Sequence, residues 1–132
     1  MVLSALHEEA ENMRREYSIY RTLKALSKQR VAFIAQPGNA WAIERSVPHT
    51  ETNEANLRTC HLRGWVEPIV DALPFLEVGE DLKLPQGPVP VRPLYRLTDG
   101  GWNAIHRTRV LALLGVLVSL VGLCTTVIAL LL

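Results

Sequence analysis

The sequence predicts a small α+β domain joined to one membrane-spanning helix. Three observations predict it. Val110 to Leu132 is an uncharged apolar run of twenty-three residues. Two earlier segments, Ser4 to Gln29 and Thr50 to Arg63, carry helical periodicity or helix caps. Short runs with β-branched and aromatic residues, RVAFIA and LYRL among them, lie between segments punctuated by Pro and Gly.

Ser4 to Gln29 reads as one helix with Ser4 as its cap. Leu6, Ala10, Met13, Tyr17, Tyr20, Leu23 and Leu26 recur at three/four spacing, and Glu8, Glu11, Arg15 and Glu16 lie opposite. The domain core needs only the later half, Tyr17 to Leu26. Residues 1–16 form an extension whose heptad rhythm suits either a dimer seam or a solvated helix end.

Arg30 to Ala35 is a short strand, and Gln36-Pro37-Gly38-Asn39 is a turn. Ala40 to Val47 is ambiguous. AWAIERSV alternates well enough for a returning strand, yet Asn39 can cap a short helix there. Pro48 ends the segment in either case. Thr50 to Arg63 is the second helix, with Thr50 or Thr52 as cap, Glu51 and Glu54 in its first turn, and Gly64 stopping it. Trp65, Val66 and Ile69 give a strand, ALPFLEV another, and Leu94 to Leu97 a third. GEDLKLPQGPVPVRP is a long excursion between the last two. Thr98 or Asp99 caps a final helix that meets no breaker before the apolar run.

That run makes a helix of about 34 Å, against roughly 30 Å of bilayer hydrocarbon. Fifteen of its residues are Leu, Val or Ile. At ~0.3 to 0.6 kcal/mol each near the centre they favour insertion by several kcal/mol. Its hydroxyls can return to backbone carbonyls one turn back, which makes them inexpensive in lipid. The lipid bilayer is therefore one expected partner. Gly115, Ser119 and Gly122 offer a small-residue packing face for a second helix in the membrane. The basic flank, Arg107 and Arg109 with His106, precedes the run, so the N-terminal side is expected in the cytoplasm. The opening residues do not read as a secretory signal, and the arrangement expected is a single-pass, tail-anchored protein. Trp102, His106, Arg107 and Arg109 suit the headgroup interface, although Trp102 suits the domain core equally.

All fourteen Lys and Arg and all thirteen Asp and Glu precede Val110, so the soluble part is nearly neutral. That argues against a protein held on nucleic acid by bulk charge. Cys60 and Cys124 lie in different phases, and no disulfide is expected. The four histidines are scattered, no metal spacing occurs, and no cofactor is expected. No nucleophile-elbow or phosphate-loop motif appears, and Cys60 falls on the expected core face, where a thiol is usually inert. No catalytic residue and no small-molecule substrate are expected.

The order of elements, with LRTCHLRGWVEPI and PLYRLTDGGWNAI, resembles a winged helix-turn-helix domain of the bacterial regulator type. Leu57 and Cys60 take the core positions of the would-be recognition helix, and PLYRLTDGG looks like a second wing strand running into an LTxxG helix start. The resemblance implies a winged-helix-like domain over 17–108 with a long wing at 69–93, ahead of the transmembrane helix that the apolar run places at 109–132. It also implies a bacterial inner membrane, and it tips 39–47 toward a short helix. Should that segment be a hairpin strand, the fold is a different α+β one and the DNA analogy weakens with it. Groove-facing candidates are Thr52, Asn53, Asn56, Arg58, Thr59 and Arg63. Against them stand Glu51 and Glu54 at the helix start, and Asp71, Glu77, Glu80 and Asp81 in the wing.

Two functions follow as expectations. The first is a non-enzymatic, tail-anchored module binding a protein partner, or a second copy of itself, at the inner membrane surface. The PQGPVPVRP stretch is a plausible contact. The alternative is a membrane-tethered DNA-binding regulator, with nucleic acid the less favoured partner.

Overall fold

The computed structural model of the chain describes residues 2–35, 40–69, 75–83, 86 and 92–131. Eight elements follow in order: α1 (Val2–Leu26), β1 (Val31–Ala35), β2 (Ala40–Glu44), α2 (Glu51–Leu62), β3 (Val66–Pro68), β4 (Phe75–Val78), β5 (Tyr95–Leu97) and α3 (Asp99–Leu131). This is an α+β architecture with a long apolar C-terminal helix. The expected turn at 36–39 lies outside the described residues.

α1 starts earlier than Ser4 and ends at Leu26, where Ser27, Lys28 and Gln29 close a tight final turn. Its last third carries the core. Ile19, Leu23 and Leu26 are buried, whereas Tyr17 is 63% exposed, so the buried core of this helix starts at Ile19 rather than at Tyr17. Every residue from Leu3 to Tyr17 is exposed, including Ala10.

Ala40–Glu44 is a strand, and this corrects the tilt toward a short helix. β2 pairs antiparallel with β1 and parallel with β4, so both of its edges are hydrogen-bonded. Ala42 and Ile43 point to opposite faces of the sheet and are both buried. A helix of eight residues would bury less and would nucleate poorly. The Arg30 and Glu44 side chains pair across the hairpin. β4 is the strand expected within ALPFLEV, and it pairs with β2 rather than with β3 or β5, with Arg45 N bonded to the Val78 carbonyl at 2.9 Å.

α2 follows its sequence signals. Thr50 Oγ1 accepts a bond from Asn53 N at 3.2 Å, and Gly64 takes the left-handed φ of +71° just beyond the helix. β3 and β5 form a separate antiparallel pair, with Val66 opposite Leu97 and Pro68 opposite Tyr95. Thr98 then does two jobs. Its hydroxyl donates to the Gly64 carbonyl at 2.6 Å and accepts from Gly101 N at 3.2 Å, which fixes the start of α3 against the end of α2.

The core gathers Ile19, Leu23, Leu26, Val47, Cys60, Val66 and Ile105. α3 contributes only its first two turns to it, through Gly101 and Ile105. From His106 to Leu131 every residue of α3 is exposed. Asp99–Leu131 is one unbroken helix, and among the described residues it alone is long and apolar enough to cross a membrane.

Candidate functional site

Three surfaces concentrate the chemistry: the outer face of α2, a cleft beside it, and the junction of α3 with its apolar run.

The would-be recognition helix is turned partly inward. Asn56 is buried, and its Nδ2 donates to Ser18 Oγ and Thr22 Oγ1, each at 3.0 Å. Asn53 Nδ2 donates to the Pro48 carbonyl at 2.9 Å, and its Oδ1 lies 3.3 Å from Thr22 Oγ1. Thr59 Oγ1 returns to the Ala55 carbonyl. Arg63 holds Glu16 through two bonds, 2.8 and 2.6 Å, and its guanidinium lies 4.9 Å from the Trp65 ring centroid. Of the six candidates, Thr52 and Arg58 are exposed without such a partner among the described residues. The polar seam of Ser18, Thr22, Asn53 and Asn56 was not foreseen. Its signal was present: Ser18 and Thr22 are four apart and Asn53 and Asn56 three apart, each pair on one helix face.

A cleft of about 190 Å³ opens beside α2, lined in part by Ser46, His49, Arg58, Glu77, Arg92 and Tyr95. Its charges largely neutralise one another. Glu77 accepts from Arg45 Nε at 2.9 Å and faces His49 Nε2 at 3.1 Å, while Arg92 pairs with Glu54 at 2.8 Å. Ser46 Oγ is buried without a hydrogen-bond partner among the described residues. No group of three or more His, Cys, Asp or Glu that could hold a metal occurs among the described residues. Burial pushes the Cys60 thiol up to about 11. At neutral pH it is protonated, with no accessible surface, and is a poor nucleophile.

At the α3 junction, Trp102 is 43% exposed and is not a core residue. It sits one turn before His106, ring centroids 6.4 Å apart, on a face flanking buried Gly101 and Ile105, about 80° around the helix from them. Arg107 and Arg109 follow, both exposed. Ile105, the last core residue, precedes Val110 by five helical steps, roughly 8 Å. Within the apolar run Ser119 Oγ donates to the Gly115 carbonyl, and Thr125 and Thr126 both donate to the Gly122 carbonyl, all at 2.8 Å. Side chains added at Gly115 or Gly122 would meet nothing within 4 Å, so the face they share with Ser119 is open. Of the Pro-rich 85–93 contact, residues 85 and 87–91 lie outside the described residues.

No protein-family model matches the chain, and neither a curated protein nor a solved structure matches it.

Proposed function

We propose that the chain is a membrane-anchored interaction module: α3 spans the bilayer, and the α+β domain binds protein at the cytoplasmic surface. The observation that carries this is the continuity of α3. One helix runs from the buried core at Ile105 into an exposed apolar stretch with no linker. A domain mounted roughly 8 Å from the hydrocarbon has its lower face against headgroups. Trp102 and His106 with Arg107 and Arg109 are the residue types that prefer that layer. The same basic flank favours a cytoplasmic domain, at the inner membrane if the cell is bacterial.

The non-enzymatic reading is supported by the protonated, buried Cys60 and by cleft carboxylates already engaged by Arg45, His49 and Arg92. The protein-binding reading is preferred to DNA binding because Asn53, Asn56 and Arg63 are committed within the fold, and because β2 replaces the helix that the DNA analogy needed. Full-length protein in lipid nanodiscs, titrated with duplex DNA at low salt, separates the two. The interaction module gives no salt-sensitive binding; a tethered regulator gives binding that falls steeply as salt rises.

A further inference from the structure

α1 carries two apolar stripes on nearly opposite faces, and the fold uses only one. At about 100° per residue, the buried set Ile19, Leu23 and Leu26 lies roughly 150° from the centre of Leu3, Leu6, Ala10, Met13 and Tyr17. The second stripe is open. Leu3 is 83% exposed, Leu6 57% and Met13 67%. A shallow groove along it is lined by α1 alone, through Leu6, Glu9, Ala10, Met13, Arg14 and Tyr17. A free-standing helical stretch of fifteen residues, Leu3 to Tyr17, is marginal in water on its own.

The charges beside the stripe select its occupant. With Leu3, Ala10 and Tyr17 at a and Leu6, Met13 and Tyr20 at d, Glu9 and Glu16 fall at g while Arg14 and Arg21 fall at e. In a parallel pair of α1 helices each g residue meets the e residue five places on in the other chain. Glu9 then faces Arg14 of the second copy, and Glu16 faces Arg21 of the second copy. In an antiparallel pair g meets g and e meets e, which sets Glu against Glu and Arg against Arg. Glu16 is already held by Arg63 of its own chain, so the Glu9 and Arg14 pair, formed twice by symmetry, is the discriminating one. A lipid surface fits less well. Residues 2–17 hold Glu8, Glu9, Glu11 and Glu16 against Arg14 and Arg15, an acidic balance, whereas helices that lie on anionic lipid are rich in Lys and Arg.

We propose that the exposed stripe of α1 is the seam of a parallel two-stranded coiled coil with a second copy of this chain, its register fixed by Glu9 and Arg14. The inference rests on the interaction-module reading and names that module's partner. Anchoring in one bilayer assists it by raising the effective concentration of one copy about another.

The test uses the full chain in membrane vesicles, with Cys124→Ser to remove the second thiol. Under mild oxidation Leu6→Cys and Met13→Cys each give a same-residue disulfide dimer, and Glu8→Cys, on the opposite face, does not. Glu9→Arg alone and Arg14→Glu alone lower the crosslinked yield several-fold, and the two together restore it. Three results overturn the proposal. One is the absence of dimer at both seam positions in folded protein. Another is crosslinking of Leu6→Cys to Tyr17→Cys in preference to itself, which marks an antiparallel pair. The third is burial of the stripe by lipid without dimer. An alkaline wash of the same vesicles reports anchoring separately. Crosslinks lost with anchoring kept defeat the coiled coil alone; anchoring lost with crosslinks kept defeats the membrane reading alone.

Discussion

Arg63, at the end of α2, grips the Glu16 carboxylate of α1 through two hydrogen bonds of 2.8 and 2.6 Å. The same guanidinium covers the face of Trp65. One side chain thus closes the joint between the two helices that carry most of the core, and it does so at the point where α1 leaves the domain.

That joint has a pH dependence of known sign. The Arg63 hydrogen bond holds the Glu16 carboxyl below its ordinary value of 4.5. A lowered folded value contributes stability that is present above about pH 4.5 and is lost as pH falls through the folded value. Both groups are partly exposed, 56% for Glu16 and 34% for Arg63, so solvent screens the pair. Glu16→Gln is expected to cost about 0.5–1 kcal/mol at neutral pH, and the difference should vanish in acid. Denaturant midpoints of the full chain in micelles, read by Trp fluorescence at both pH values, check this.

The buried amide at Asn56 is worth more. Asn56→Ala removes two donated bonds and opens a small gap, and should destabilise by about 1–3 kcal/mol. Asn56→Asp is expected to be worse, since a buried carboxylate cannot donate to either hydroxyl. If Asn56 instead served an outside ligand, the alanine variant would keep its midpoint.

Two glycines on α3 should answer the same substitution differently. A Cβ at Gly101 would come to 2.5 Å from Leu97 Cδ2 and closer still to the Trp65 carbonyl oxygen, whereas one at Gly115 meets nothing within 4 Å. Gly101→Ala is expected to destabilise the domain by about 1–3 kcal/mol through overpacking. Gly115→Ala should leave the domain midpoint unchanged.

Cys60 should be slow to alkylate. With its thiol at about 11 against an ordinary 9.0, the folded domain holds roughly a hundredfold less thiolate at pH 8, and burial adds to the delay. In a Cys124→Ser background, iodoacetamide labelling should be at least a hundred times slower in the folded protein than in denaturant.

The elements whose signals are local were legible in the sequence. Thr50, Gly64 and Thr98 mark helix ends by chemistry that acts within one turn, and the structure uses each of them so. Ala40–Glu44 was not decidable, because its strand character comes from β1 on one edge and β4, more than thirty residues away, on the other. Which of the groove-facing candidates at α2 are engaged within the fold was not legible for the same reason. A helical wheel places Asn56 beside Asn53, but only α1, with Ser18 and Thr22 opposite, determines that both turn inward. The two faces of α1 were merged into one stripe, since Leu23 and Leu26 continue the three/four rhythm of Leu6 to Tyr20 while the helix rotates onto its core side at Ile19.

The most direct measurement is extraction of the full-length chain from native vesicles with alkaline carbonate, beside a variant carrying Leu117→Arg and Leu120→Arg. The account predicts that the chain stays in the pellet, that the double-arginine variant moves to the supernatant, and that protease added on the cytoplasmic face removes the domain. Release of the unaltered chain by the carbonate wash would contradict it.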